Sequence, residues 1–284
     1  MLDFQLKIKK EHEDYSVGEL IAKNFKISSR MLTKLKNNDG IKLNGEHITV
    51  RGRVKEGDVL SLIFPQEKSK NVVPVELPLN ILYEDDELLI VNKPKDMPVH
   101  PSLNNYTNTL GNAVMYYFKD IPFVYRPVNR LDRDTTGIVI ISKSAYAHNH
   151  LSKQMQKDIF KKTYTAVTVA PPIPANGIIN APIRREQESI IKRVVAPDGQ
   201  VAITEYETLY EKDGRGVVKV LLHTGRTHQI RVHFAHIGFP LLYDYLYGTE
   251  VEGKTFMLHC TELEFLHPIT EKPMKITCEP EFNL

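Results

Sequence analysis

The chain has 284 residues, a formal net charge of +2, 42% hydrophobic residues and 25% charged residues. This length suits one large domain or two of ordinary size, and the composition excludes wholesale disorder. The longest apolar runs, such as residues 137–141, are far shorter than the ~20 residues that cross a bilayer. Two cysteines are too few for a disulfide framework or a zinc cluster, and the charged N-terminus does not read as a secretory signal. We therefore expect a cytoplasmic protein without membrane contact.

The distribution of charge is more informative than its total. Residues 1–70 hold 14 Lys and Arg against 10 Asp and Glu, whereas the remainder holds 23 against 25. A basic N-terminal part beside a near-neutral larger part suggests an electrostatic anchor for a polyanion. Ordinary surface variation is the alternative explanation.

Residues 14–64 have the pattern of a compact unit. Apolar residues at helical spacing predict a first helix, namely Val17, Leu20, Ile21 and Phe25. Ser28 or Ser29 is placed to cap a second helix that Gly40 closes. Short alternating stretches between residues 41 and 63, separated by turns, predict a small β-meander after the two helices.

This N-terminal stretch resembles the small RNA-binding domain of the ribosomal protein S-four type. The resemblance rests on the Ser-Arg start of the second helix, Gly40, "KLNG" at 42–45 and "VKEGDVLSL" at 54–62. It implies a domain over residues 1–64 with RNA phosphate contacts from the second helix and the turn after it. The implied contact residues, on or near one side of that helix and at the next strand, are Arg30, Lys34, Lys36 and Lys42. A solvated helix face is the alternative.

From residue 65 onward the sequence changes in character. Residues 65–80 contain three prolines and a polar cluster, which favours an inter-domain linker. Residues 81–284 then alternate between apolar runs and polar turns. Strands are predicted at 88–92, 137–142, 164–169, 217–222 and 257–260, and helices at 109–120, 144–158 and 227–238. Because the strands and helices do not alternate regularly, the pattern favours an α+β core with a mixed or antiparallel sheet.

A charged loop precedes the strand predicted at 137–142. Three arginines and two aspartates crowd residues 126–134, and an aspartate held beside an arginine in a cleft keeps its charge and can act as a nucleophile or base. Asp132 and Asp134 are equal candidates on this ground. Residues two apart in an extended loop face opposite ways, so we expect one to enter a cleft and the other to pair outward with Arg130 or Arg133. A salt-bridged turn is the alternative.

Two further segments carry candidate side chains. In residues 223–248 a strand ends near His223, Thr227 is placed to cap a helix, and Arg231 flanks that helix's apolar stripe, where it can present its guanidinium to a buried anion. The histidines of this segment lack further ligands at metal spacing, so no metal is predicted. In the strand pattern of 161–169, Tyr164 is either a core residue or a ring that stacks on a base and handles a proton.

Together these segments are similar to the RluA-type pseudouridine synthase family. The family motif H-R-L-D-x-x-T-S-G corresponds to "NRLDRDTTG" at 129–137. Four more blocks follow the family order, namely residues 83–102, 161–167, 223–248 and 258–268. The resemblance implies that Asp132 is the catalytic aspartate, that Arg231 pairs with it, and that Tyr164 stacks on uracil and manages the proton at C5. It also implies that Arg130 engages RNA phosphate or holds the loop. Asn129 departs from the family histidine, and we expect it to alter loop hydrogen bonding or RNA contact.

The resemblance implies an isomerase that converts specific uridines of a structured RNA to pseudouridine. Nothing leaves the site in that reaction, so no cofactor and no metal are expected. An N-terminal RNA-binding domain on this core is more typical of enzymes acting on ribosomal RNA of the large subunit, with transfer RNA as the second choice. We expect a monomer. Alternatives are a non-catalytic RNA-binding or ribosome-assembly factor on the same fold, and a carboxylate-based glycoside hydrolase.

Overall fold

The computed structural model describes residues 3–25, 27–65, 69, 71–102 and 105–282. Within these residues the helices are α1 Val17–Asn24, α2 Ser29–Asn37, α3 Leu110–Tyr117, α4 Ala145–Gln156 and α5 Gln229–His236. The strands are β1 Asp3–Lys7, β2 Ile41–Leu43, β3 Glu46–His47, β4 Val59–Ile63, β5 Asn80–Glu84, β6 Leu88–Lys93, β7 Thr136–Ser142, β8 Lys161–Thr168, β9 Asn176–Asn180, β10 Ile183–Arg185, β11 Arg193–Val195, β12 Ile203–Lys212, β13 Arg215–Leu222, β14 Leu258–Leu266 and β15 Pro273–Thr277. Every helix in the described ranges is too short or too polar to cross a membrane.

The N-terminal residues form a four-stranded sheet with α1 and α2. The strand order is β1-β4-β2-β3, and the buried faces of these elements make an apolar cluster of their own. Strand β1 was not predicted, although Phe4 and Leu6 alternate with polar residues in the way a half-buried strand requires. The mixed charges of this segment concealed that alternation.

Helix α2 begins where the sequence indicated. Ser28 is the N-cap and its hydroxyl accepts from the Met31 amide. A helix turns about 100° per residue, so Lys34 lies ~40° from Arg30, but Lys36 lies ~160° from Lys34. Lys36 therefore does not share the face of Arg30 and Lys34, contrary to the expectation from the sequence.

A mixed sheet of nine strands dominates the rest of the described chain. Its order is β5-β6-β7-β14-β8-β13-β12-β9, with β15 paired to β14. Neighbours run antiparallel except β7 and β14, which are parallel. The side chains of this region form a second large apolar cluster. Mixed strands with helices packed beside them agree with the predicted α+β core.

The predicted linker packs along the large sheet. Residues 66–68 and 70 lie outside the described residues. Val72, Leu77 and Leu79 contact the large apolar cluster, and the Asn112 side chain donates to the Val73 carbonyl at 2.7 Å. Asn80, the last residue of the predicted linker, already belongs to β5. The segment is thus docked on the sheet before the first strand begins.

Gly137 fixes where the charged loop enters the sheet. Its φ of 108° lies in the region that favours glycine. A Cβ atom at this position would lie 2.4 Å from the carbonyl oxygen of Cys260 in β14. Glycine therefore allows β7 and β14 to approach closely at the point where the loop of residues 129–135 ends.

Candidate active site

The three segments that the sequence singled out meet in one cleft of about 680 Å³. The loop before β7 contributes Arg130 and Asp132, β8 contributes Lys162 and Tyr164, and the turn into α5 contributes residues 225–231. These segments are distant in the chain. The antiparallel pairing of β8 with β13, which leads into α5, and the pairing of β8 with β14 bring them together.

The loop before β7 is anchored by Asn129. Its side-chain amide donates to the Ile138 carbonyl at 2.9 Å, and its side-chain oxygen accepts from the Ile140 amide at 2.9 Å. Asn129, which stands where the family motif has histidine, is buried. It therefore serves hydrogen bonding within the loop, which is one of the two roles expected for it. Arg130, the next residue, is exposed at the cleft.

The two aspartates of this loop have different environments. The Asp132 side chain is 26% exposed and lines the cleft. The Asp134 side chain is 2% exposed, lies 3.4 Å from Nε of Arg133, and contacts the Tyr245 hydroxyl at 3.4 Å. The expected pairing with Arg133 is present, but the expectation that this aspartate points outward is wrong, since Asp134 is the more buried of the two.

Arg231 lies between two carboxylates. Its Nη1 is 3.6 Å from Oδ2 of Asp132, which is an ion pair without a short hydrogen bond. Its Nε and Nη2 each donate to Asp244 at 2.8 Å, in the bidentate geometry that suits a guanidinium and a carboxylate. Arg231 is 2% exposed and Asp244 is 0% exposed. The sequence predicted a buried anion beside Arg231. The nearer anion is Asp244, at 2.8 Å, and Asp132 is the more distant one, at 3.6 Å.

Asp244 also fixes the segment that covers the arginine. Its Oδ1 accepts from the amides of Leu246 and Tyr247 at 3.0 and 3.1 Å. The Arg231 guanidinium stacks on the Phe256 ring, 4.0 Å from its centroid. Burial acts to lower the pKa of Arg231, but the hydrogen bonds and charge of Asp244, with Asp132, outweigh it and raise the pKa. The arginine is thus a fixed cation beside Asp132.

Tyr164 lines the cleft from β8. It is buried and pairs in register with Cys260 of β14. Burial raises the pKa of Tyr164 well above the usual tyrosine value, and Cys260 acts in the same direction. Tyr164 is therefore a neutral phenol in the cleft, with its ring held by the sheet beneath.

A buried lysine supports the loop from the other side. Lys93, at the end of β6, is 0% exposed, and its ammonium donates to the carbonyls of Pro94 and Arg133 at 2.7 and 2.9 Å. Burial lowers the pKa of Lys93 to about 7, although Asp134 and Asp132 oppose that change. The lysine thereby ties β6 to the segment between the two aspartates.

Two histidines of residues 223–248, His223 and His233, are engaged by hydrogen bonds to other residues. Both ring nitrogens of His233 are occupied, by the Thr204 hydroxyl at 2.8 Å and the Ala181 carbonyl at 2.9 Å. His223 contacts Glu205 at 3.0 Å. His228, and not Thr227, is the N-cap of α5. His233 therefore has no free nitrogen with which to join His236 on a metal.

Comparison with known proteins identifies the family of the chain. Residues 87–236 match the family described as RNA pseudouridylate synthase. The chain belongs to that family. It is 39% identical over 254 residues to the uncharacterized RNA pseudouridine synthase YjbO of Bacillus subtilis, covering 88% of this chain and 90% of that one. It is 35% identical over 265 residues to the ribosomal large subunit pseudouridine synthase D of Pasteurella multocida, covering 87% and 81%.

The same fold is found in a solved structure. Human RNA pseudouridylate synthase domain containing 1 matches with a TM-score of 0.59 and 24% identity, over 72% of this chain and 84% of that one. The family resemblance expected from the sequence is confirmed, and the protein is a pseudouridine synthase.

Sequence reasoning found part of this pseudouridine synthase cleft and missed part. Asp132, Tyr164 and Arg231 all line it. His228, which also lines the cleft, was considered only as a metal ligand. Asp244 and Lys93, which hold Arg231 and the loop carbonyl of Arg133, were not singled out. A signal for Asp244 was available, since "FPLLYDYLYG" places one acid in an apolar run, and a buried carboxylate requires a cationic partner.

The residues expected to bind RNA through the N-terminal unit lie elsewhere. Arg30 and Lys36 are exposed, whereas Lys42 is half-buried in β2. Lys34 is half-buried and lines a second cavity of about 780 Å³, between α2 and the start of α4, which Arg126 and Lys143 also line. None of these four residues is among those that line the described cleft.

Proposed function

We propose that this enzyme isomerises specific uridines through Asp132 as its catalytic aspartate. The observation that carries the proposal is the position of Asp132, which reaches the cleft beside the buried cation Arg231, while Asp134 is buried on the other side of the loop. A partly exposed carboxylate next to a fixed guanidinium is held in one orientation and remains accessible to a substrate.

The reaction rearranges bonds within one nucleotide. The N1–C1′ bond of uridine breaks, the base turns in the cleft, and C5 bonds to C1′. The proton at C5 is then lost and N1 gains a proton, so the product has the composition of the substrate. Asp132 either attacks C1′ or removes the proton at C2′. The uridine has to be unstacked and flipped out of its RNA to reach the cleft.

The neighbouring side chains fit these steps. Arg231 is the fixed charge that orients Asp132. Tyr164 offers its ring to the uracil and a neutral hydroxyl close to the proton at C5. Arg130 is the proposed contact to RNA phosphate, and its exposure beside the cleft supports this role.

The N-terminal residues are the proposed RNA-binding unit. We propose domains at 1–64 and 81–284 with the linker at 65–80, and the two separate apolar clusters support this division. The relative named for the ribosomal large subunit favours ribosomal RNA as the substrate, with transfer RNA second. We also propose a cytoplasmic monomer. Mapping pseudouridines in RNA from cells with and without the gene identifies the target.

Asp132→Asn tests the catalytic assignment. Uridine conversion by this variant should be abolished, while its melting temperature and RNA affinity stay close to wild type. Asp96→Asn is the matched control, since Asp96 is exposed on the neighbouring loop and its positive φ of 56° tolerates asparagine. Conversion by the Asp132 variant at the wild-type rate would reject the assignment.

A further inference from the structure

His228 holds an unusual position at the start of α5. Its φ of 58° lies in the left-handed region, where histidine is tolerated better than most residues. Its side chain is 12% exposed and lines the cleft between Arg231 and the loop of Asp132. The neighbouring Gln229 side chain satisfies the Arg226 amide, so the turn is held without the imidazole. The imidazole is therefore not used to cap the helix, and it lines the cleft.

A chain of hydrogen bonds favours one tautomer of this imidazole. The Arg193 amide donates to the Tyr247 hydroxyl at 2.8 Å, and that hydroxyl lies 2.8 Å from Nδ1 of His228. A phenol oxygen that already accepts from an amide directs its own proton to the next acceptor, which is Nδ1. Nε2 then carries the N–H of the neutral ring.

That N–H faces the proposed catalytic carboxylate. Nε2 of His228 is 4.0 Å from Oδ2 of Asp132, and Nη1 of Arg231 is 3.6 Å from the same oxygen. Within the described part of the chain, Oδ1 of Asp132 has no hydrogen bond or ion pair. Such contacts are often long in a free enzyme and shorten when the substrate is bound.

We propose that His228 is a positioning residue, which donates through Nε2 to Oδ2 of Asp132 and, with Arg231, leaves Oδ1 to face the ribose. The inference rests on the proposed function of Asp132. Two donors on one oxygen fix both the direction and the rotation of the carboxylate, whereas Arg231 alone, already engaged by Asp244, fixes only its distance.

Burial, more than the surrounding charges, keeps His228 neutral. Burial lowers the pKa of His228, and the cations Arg231 and Arg193 act in the same direction, while Asp132 and Asp244 oppose them. A neutral ring can direct one N–H without adding charge to the cleft. The fixed cation at Asp132 then remains Arg231.

Two amide variants separate a positioning role from a structural one. His228→Asn suits the left-handed backbone but places its amide near the position of Nδ1, whereas His228→Gln suits that backbone less and reaches the position of Nε2. We expect the single-turnover rate of the asparagine variant to fall about 10- to 100-fold, with RNA affinity unchanged. The glutamine variant should recover most of that loss, although it is the less stable of the two.

The measurements are single-turnover conversion, RNA affinity and melting temperature for both variants, beside wild type and Asp132→Asn. A wild-type rate in the asparagine variant, or losses in both variants that follow the melting temperature, would overturn the inference about His228. Either of these results would leave the proposed function intact, provided that wild type converts uridine and Asp132→Asn does not. If the Asp132 variant is active, the proposed function itself fails.

Discussion

The cleft and the N-terminal helix α2 both present cations, but they hold them in different ways. Arg231 is buried, bound by two hydrogen bonds to Asp244 and stacked on Phe256. Arg30 and Lys36 stand exposed on α2. A buried charge without a partner is costly, so its partners and geometry are fixed. An exposed charge acts through a screened field and needs no fixed partner.

This difference predicts how each region responds to substitution. Loss of a cation in the cleft leaves an anion buried in a low dielectric, so both stability and chemistry should change. Loss of a cation on the RNA-facing side of α2 removes one exposed phosphate contact, so RNA affinity should change a little and the chemical step should not.

Arg231→Met should have the largest effect on stability. It leaves Asp244 buried and unpaired, and we expect the free energy of unfolding to fall by about 3–5 kcal/mol. Urea denaturation measures this loss. The double variant Arg231→Met with Asp244→Asn should be more stable than the single variant, because the amide oxygen still accepts from Leu246 and Tyr247 without a charge. A double variant no more stable than Arg231→Met would contradict the assignment of Asp244 as the main partner.

Lys93→Met tests how the second buried basic residue makes the free energy of unfolding depend on pH. The folded pKa of Lys93 is about 7, below the ordinary lysine value of about 10.4. Between these values the unfolded chain binds a proton that the folded chain does not. The contribution of Lys93 to the free energy of unfolding is therefore complete above about pH 10.4, and it is lost as the pH falls towards 7.

We expect the methionine variant to lose this dependence. The difference in unfolding free energy between wild type and variant should rise with pH over that window, as measured by urea denaturation at several pH values. Above about pH 10.4, where the contribution of Lys93 is complete, the variant should be less stable than wild type by about 2 kcal/mol because its two hydrogen bonds are missing. Lys95→Met, at an exposed lysine two residues away, is the control. Parallel pH curves for wild type and the Lys93 variant would show that the lysine is not perturbed.

The sequence predicted the fold well where local patterns determine it. All five helices and the strands β6, β7, β8 and β13 lie where periodicity placed them, whereas only the start of β14 was predicted and β12 was not. Strand β1 was missed because its charges obscured a period of two. Parallel pairing of β7 with β14 was beyond prediction, since it joins segments more than a hundred residues apart and no local pattern encodes it.

In the candidate site, too, local patterns could be predicted and long-range contacts could not. Asp132, Tyr164 and Arg231 were found through motif resemblance, while residue chemistry alone left Asp132 and Asp134 equal. The pairing of Arg231 with Asp244, and the contacts of Lys93 with loop carbonyls, depend on tertiary packing. A sequence can indicate that a buried arginine needs an anion, but only the fold determines which one is closest.

The smallest effects are expected from α2, where they can decide which face meets RNA. Arg30 and Lys36 lie ~120° apart around the helix, so one RNA backbone cannot contact both at short range. Arg30→Ala should reduce the slope of log affinity against log salt by about 1, the value for one phosphate contact. Lys36→Ala should leave the slope unchanged.

The measurement uses the Asp132→Asn background, so that substrate RNA is bound without being converted. Equal reductions for both would mean that RNA surrounds the helix, and no change for either would place the RNA-binding surface away from α2. Either result would break the contrast between a fixed cation in the cleft and a directed basic face on the N-terminal unit.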